Sequence, residues 1–186
     1  MLPARVAWFQ WRARRLARRL GDQFSLSSAT RPPKLALILD QARGCRRIAE
    51  LGSGTAWTSI SLLLVDPGRE LVTSDPHDRL ERERYLELAG RHVADRLTFV
   101  HGPGAGGPSD ERRFDLLFID SSHALDETIA EFEVWRPSLT DGALVIFDDY
   151  GHPQYPGVQA AVEALGLTGH SDSGLFFHRL SRTDAR

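Results

Sequence analysis

The sequence predicts an α/β fold: a mostly parallel sheet of seven strands, or six, with helices on both faces. Short apolar runs alternate with segments of helical periodicity along most of the chain, the pattern of repeated strand–helix–strand units. Phe114-Asp-Leu-Leu-Phe-Ile119 and Ala143-Leu-Val-Ile-Phe147 are almost unbroken apolar stretches, as inner strands covered on both faces must be. Acids then close the strands. Glu50, Asp75, Asp120 and the pair Asp148-Asp149 each stand at or just before the carboxyl end of a predicted strand, the edge where an open parallel sheet binds ligands.

Taken in order, Leu2, Val6, Phe9, Ala13, Leu16 and Leu20 recur every three or four residues, with Arg12, Arg15 and Arg19 off the stripe. Residues 1–20 therefore read as an amphipathic helix of about five turns. Its apolar stripe either lies across the rest of the protein or a second subunit, the favoured reading, or rests with Trp8 and Trp11 on an anionic membrane surface. Residues 21–31 are polar and read as a hinge or cover, so 1–31 is an appendage and 32–186 a single domain. Pro32 and Pro33 open a helix over 34–43 that Gly44 closes. A strand over 46–51 follows, then a glycine turn and a helix patterned by Trp57, Ile60, Leu63 and Leu64 that ends by Asp66-Pro-Gly68. Residues 70–74 form the second strand. A charged helix over 79–94 is expected to bury Leu80, Leu86 and Val93, and 97–100 is a third strand. Residues 101–109, rich in glycine and proline, read as irregular loop. After the strand over 114–119, a helix from 124 to 135 is expected to bury Leu125, Ile129, Phe132 and Trp135, with Pro137 stopping it. Thr140-Asp-Gly142 reads as a turn into the strand over 143–147. A helix over 158–165 and a last strand over 175–180 complete the chain.

The composition, 41% hydrophobic and 26% charged over 186 residues, is that of an ordinary globular domain. Its net charge of -2 hides an asymmetry, because residues 1–20 hold six arginines and no acid and leave 17 basic against 25 acidic side chains elsewhere. An acidic body argues against a nucleic-acid partner. Cys45 stands alone, which excludes an internal disulfide and a cysteine-based zinc site. No apolar run approaches membrane-spanning length, and arginines interrupt the start where a signal peptide needs apolar residues, so the cytoplasm is the expected location.

The turn Glu50-Leu-Gly52-Ser53-Gly54-Thr-Ala-Trp57 joins a buried strand to a helix, and its glycines allow close approach of backbone to a ligand or simply a tight connection. It lacks the Lys-Ser/Thr of a phosphate-binding loop and the third small residue of a nicotinamide fingerprint. Glu50 would repel a pyrophosphate and attract a cation. Asp75, 21 positions beyond Gly54, can accept both hydroxyls of a ribose or cap the next helix. Asp120, Asp148 and Asp149 converge if their strands are neighbours, and either hold a hard divalent cation or cap helices. His123 and His152, three positions past Asp120 and Asp149, are rival general bases, with His123 favoured for its more rigid turn.

The series Glu50-x-Gly52-x-Gly54, Asp75, Phe114-Asp115 to Asp120, Asp141-Gly142 and Asp148-Asp149-Tyr150 resembles the class I S-adenosylmethionine-dependent methyltransferases. Over residues 46–165 the similarity is closest to the metal-dependent small-molecule O-methyltransferases of the catechol and macrocin types. The resemblance implies a Rossmann-like methyltransferase fold. It implies S-adenosyl-L-methionine bound by Glu50, Gly52, Ser53, Gly54, Asp75 and Asp120, with Gly102 and Pro103 along the adenine. It implies Mg2+ on Asp120, Asp148 and Asp149, and it places His123 where the catechol enzymes have a catalytic lysine. Those enzymes have an asparagine where Asp149 stands, and the chain has no insertion between its last two strands to build a substrate wall. The expected activity is methyl transfer to a hydroxyl of a small molecule, Mg-dependent, with a membrane contact not favoured and a homo-oligomer one way to complete the pocket. The alternatives are a metal-independent enzyme acting on nitrogen, carbon or protein, or a non-catalytic protein of the same fold.

Overall fold

The computed structural model describes residues 1–108 and 111–181. Its strands are β1 Arg47–Leu51, β2 Glu70–Asp75, β3 Leu97–His101, β4 Phe114–Ile119, β5 Leu139–Phe147, β6 Gly169–Asp172 and β7 Leu175–Arg179. They form one sheet in the order β3-β2-β1-β4-β5-β7-β6. The first five are parallel, while β7 runs antiparallel to β5 and β6 antiparallel to β7. The helices are α1 Ala4–Leu20, α2 Gln23–Ser28, α3 Pro32–Gln41, α4 Trp57–Val65, α5 Glu81–Ala89, α6 Arg91–Ala94, α7 Leu125–Trp135 and α8 Pro156–Ala164.

Alternation along the strands builds two cores. Ile48, Leu116, Phe118, Leu144, Ile146 and Phe177 pack with Val6, Leu35, Ile38, Trp57 and Tyr85 on one face. Ala49, Leu51, Leu117, Ile119, Val145 and Phe147 pack with Phe132, Trp135, Val158 and Val162 on the other. A fully buried Arg69 holds the first face together by donating to the carbonyls of Ala42, Cys45 and Leu62 at 2.7–2.9 Å, three acceptors that a buried guanidinium needs.

Several elements differ from the sequence expectation. The charged segment over 79–94 breaks into α5 and α6 at Gly90, whose φ is 95°. Leu80 precedes α5 and is 85% exposed, while Arg82 and Tyr85 are buried because each has a polar partner below the helix. In α7 the buried face is Thr128, Glu131, Phe132 and Trp135; Leu125 at its first turn is exposed and Ile129 half-buried. Residues Gly104–Gly106 form a turn of 3₁₀ helix within the expected loop, whose Ser109 lies outside the described residues. Thr140 to Gly142 belong to β5, and the register slips between Phe114 and Leu116 to absorb them. The polar strand β6 has no apolar signal; it exists because Ser173 and Gly174, both at positive φ, make the hairpin turn into β7.

Helix α1 lies on the α4–α5 side of the sheet with Val6, Phe9, Gln10, Ala13 and Ala17 buried. Phe9 meets the Trp57 ring edge-on at 6.5 Å, and Gln10 donates to Ser61 at 3.1 Å. The tryptophans Trp8 and Trp11 face outward and Leu20 is half-exposed. Phe9→Ala is expected to cost about 3–5 kcal/mol in urea unfolding and Trp8→Ala less than about 0.5 kcal/mol, as for core and surface truncations. Similar losses for the two would mean that α1 is not held by this face.

Candidate functional site

Strand order reverses between β1 and β4, so the loops that leave their carboxyl ends diverge and open a crevice. The glycine turn after β1 forms one wall. Gly52 and Ser53 donate backbone N–H groups to the Ser74 carbonyl of β2 at 2.8 and 3.2 Å. Asp75 accepts the Gly54 N–H at 2.7 Å on one carboxylate oxygen and the His77 N–H at 2.8 Å on the other. Arg82 donates to the Gly54 carbonyl at 2.8 and 3.2 Å. Gly52 owes its identity to the protein itself: its φ is 90°, and a Cβ there would lie 1.9 Å from the Asp120 carbonyl oxygen. No side chain caps α4, which leaves its first N–H groups to a ligand.

The crevice encloses a cavity of about 460 Å³. Glu50, Gly52, Ser53, Gly54, Asp75, Pro103 and Asp120 line it, as do His123 and Tyr155; Gly102 does not, its backbone N–H being spent on the Asp75 carbonyl. The amino-terminal arm supplies a wall through Phe24 and Thr30. That arm is anchored, since Asp22 accepts from Ser25 N–H at 2.9 Å and from the Tyr85 hydroxyl at 2.6 Å, and Ser25 bonds Thr55 at 2.6 Å. Three lining residues carry a buried polar atom without a hydrogen-bond partner among the described residues: Ser53 its hydroxyl, Trp57 its indole nitrogen and His123 its Nε2. Such orphans mark a site built for a polar ligand.

Glu50 is 1% exposed and accepts from Ser59 and, at 3.3 Å, from Thr73. Burial pushes its carboxyl up to about 8 against those bonds, with Asp120 and Asp75 adding to the rise. A carboxyl so placed is neutral at pH 7 and ionises when a cation arrives beside it.

Asp120 and Asp148 follow neighbouring strands, and the Asp148 N–H donates to the Ile119 carbonyl at 2.9 Å. The acids do converge, but around two basic side chains. Lys34 of α3 contacts a carboxylate oxygen of Asp148 and lies 3.2 Å from Asp149. His123 Nε2 lies 3.4 Å from Asp120 and 3.5 Å from Asp149. Burial lowers the affinity of His123 for a proton, yet Asp120, Asp149 and Asp148 outweigh it and raise its pKa. Burial and Asp120 drive Asp148 upward despite Lys34. His123 and Asp149 both hold positive φ, 61° and 54°, conformations that cost a non-glycine residue energy and that cluster at functional sites. Helix α8 presses on the His123 turn where Gly157 leaves room; a Cβ there would lie 2.5 Å from the His123 carbonyl. The His123 ring stacks on Tyr155 at 4.6 Å, and His152 stacks on the same tyrosine at 5.0 Å, one ring farther from the cavity and outside its lining.

The sequence reading missed Lys34, Tyr155 and the arm residues Phe24 and Thr30. Lys34 is 115 positions from Asp149, and no spacing signal connects them. Gly52→Ala is expected to lower stability by about 2 kcal/mol or more in chemical unfolding, from positive φ and collision with β4 together. A neutral effect would mean that the Gly52–Asp120 approach is not fixed.

A methyltransferase-domain family model matches residues 49–150, more than half the chain. Among solved structures, an O-methyltransferase from Bacillus cereus in complex with SAH has a TM-score of 0.70 at 15% identity, over 97% of this chain and 92% of that one. The TDP-rhamnose 3′-O-methyltransferase of calicheamicin biosynthesis has a TM-score of 0.63 at 20% identity, over 93% of each chain. An O-methyltransferase family protein from Burkholderia thailandensis has a TM-score of 0.60 at 14% identity, over 96% of this chain and 60% of that one. At these identities the likeness is one of fold. No curated protein sequence matches the chain. With the crevice at the sheet's switch point, the orphaned groups lining it and the family match spanning β1 to the end of β5, the chain belongs to the methyltransferase-domain family and is an S-adenosylmethionine-dependent methyltransferase.

Proposed function

We propose that the protein transfers a methyl group to a hydroxyl oxygen of a small molecule and that His123 removes the hydroxyl proton. The observation that carries this reading is the His123 ring on the cavity wall, flanked by Asp120 and Asp149 and held by a strained turn. S-adenosylmethionine, when bound, supplies a methyl group on a positively charged sulfur.

The chain's own residues then have separable tasks. Asp75 already accepts one N–H on each oxygen and keeps lone pairs for ribose hydroxyls. Ser53 offers an unpartnered hydroxyl. Glu50 ionises opposite a positive ligand. Phe24 and Thr30 exclude water on the arm side, which assigns residues 1–31 a part in the pocket besides their place ahead of the domain over 32–186. Displacement at a methyl carbon needs alignment of nucleophile and leaving group above all, so a rigid wall matters more than flexible contacts. His123 acts as base in its neutral form, and the neighbouring carboxylates that raise its pKa also make it a stronger base.

Magnesium, implied by the resemblance, does not fit this arrangement of side chains. The Lys34 ammonium already sits against Asp148 and Asp149, His123 Nε2 lies 3.4 and 3.5 Å from Asp120 and Asp149, and among the described residues no group of three His, Cys, Asp or Glu side chains is arranged to hold a metal ion. No described helix is long and apolar enough to cross a membrane.

Three measurements test the reading. Asp75→Ala should weaken binding of S-adenosylhomocysteine by about 1–3 kcal/mol in calorimetry, and unchanged affinity would remove Asp75 from the site. Because Glu50 is protonated when the site is empty, S-adenosylmethionine binding at pH 7 should release a proton, and affinity should rise as pH climbs through about 8. Calorimetry in buffers of different ionisation enthalpy reads this directly; Glu50→Gln should abolish it. Turnover of an acceptor should rise with pH through a pKa above 6.5, since protonated His123 cannot accept the proton. His123→Gln should cost about 10²–10⁴-fold in kcat and flatten that limb. A deficit confined to His152→Gln would assign the base to His152.

A further inference from the structure

The cation in the carboxylate cluster is a side chain. Lys34 is the only lysine in the sequence, the other 22 basic residues being arginines. It stands in the first turn of α3, whose Leu35, Ile38 and Leu39 are locked into the core, so its stem starts from a fixed point. Its ammonium contacts Asp148, reaches Asp149 at 3.2 Å and is largely buried. The Asp148 oxygen it touches also accepts the Asp149 N–H at 2.7 Å, while Asp120 and the second Asp149 oxygen face His123. Lys34 thus sets its ammonium against Asp148 and Asp149, while Asp120 and the far side of Asp149 face the His123 ring. A compact ammonium suits this place, where a planar guanidinium would need a fork-shaped partner.

We propose that Lys34 is the resident cation of the cluster at the ends of β4 and β5, standing where a divalent metal would otherwise bind, so that this site runs without one. The consequence for the acceptor rests on the methyl-transfer reading: with no metal to chelate, the acceptor needs a single hydroxyl near His123 rather than two adjacent oxygens. Orientation then falls to the cavity wall and to Tyr155.

The test uses Mn2+ as a paramagnetic probe of the full-length protein, read by electron paramagnetic resonance. The unmodified protein should give no saturable bound signal below about 1 mM. Lys34→Met keeps the apolar stem, removes the charge and leaves three carboxylates together; it should bind Mn2+ at least about tenfold more tightly. Adding Asp148→Asn to Lys34→Met should abolish that gain. Saturable binding by the unmodified protein that Asp148→Asn removes would overturn the proposal. Absence of any gain in folded Lys34→Met would overturn it equally, because the carboxylates would then not be a cation site that Lys34 fills. Should Lys34→Met fail to fold, Lys34→Gln replaces it, and the titration of the unmodified protein decides by itself against the proposal if metal binds. Calorimetry with S-adenosylhomocysteine on the same samples separates the two readings: its failure in the unmodified protein counts against methyl transfer and leaves the Lys34 result standing.

Discussion

Carboxylates gathered at one edge of a sheet must be compensated, and the rest of this structure is arranged around that need. Glu50, Asp75, Asp120, Asp148 and Asp149 follow from parallel strands ending side by side. Each is handled differently. Asp75 accepts a backbone N–H on each of its carboxylate oxygens. Glu50 is buried, and that burial, with Asp120 and Asp75 nearby, raises its pKa to about 8. The remaining three share Lys34 and His123. The site is therefore poised: one acid waits for a positive ligand, and one imidazole is made more basic by acids already in place.

Rigidity comes from polar contacts that a hydrophobic pattern does not express. Arg69 ties the ends of α3 and α4 to the start of β1, and Arg82 pins the glycine turn. Tyr85 and Asp22 hold the amino-terminal arm against the crevice. Removing one partner from such a buried network leaves the other unsatisfied, which costs more than the bond itself contributed. The strained turns at His123 and Asp149 persist because their surroundings over-determine them, with α8 pressed against one and Lys34 drawn to the other.

The parallel sheet and the edge at which it binds were legible in the sequence because strand burial on both faces leaves long apolar runs, and because acids at strand ends are positional facts. The glycine turn was legible for the same reason, though the structure gives Gly52 a different cause: it makes room for the Asp120 carbonyl. Leu80 and Leu125 misled because hydrophobicity in a first helical turn does not say which way that turn faces, and Tyr85 and Glu131 went unnoticed because their burial depends on polar partners elsewhere in the chain.

By itself, then, the sequence determined the α/β class, the order of the inner elements and the place of Asp120, Asp148 and Asp149 at strand ends, all of which follow from local pattern; that β4 and β5 are neighbours, and so bring these acids together, is a property of the folded sheet. Tertiary structure alone decided what meets those acids. Lys34 reaches Asp149 across 115 positions of sequence, His123 and His152 stack on the same Tyr155 ring, and Phe24 and Thr30 come over the cavity because α1, Tyr85 and Thr55 hold the arm there. The physical reason is that burial and charge pairing depend on which surfaces pack together, and a one-dimensional pattern carries the first neighbour shell along the chain but not the one across it.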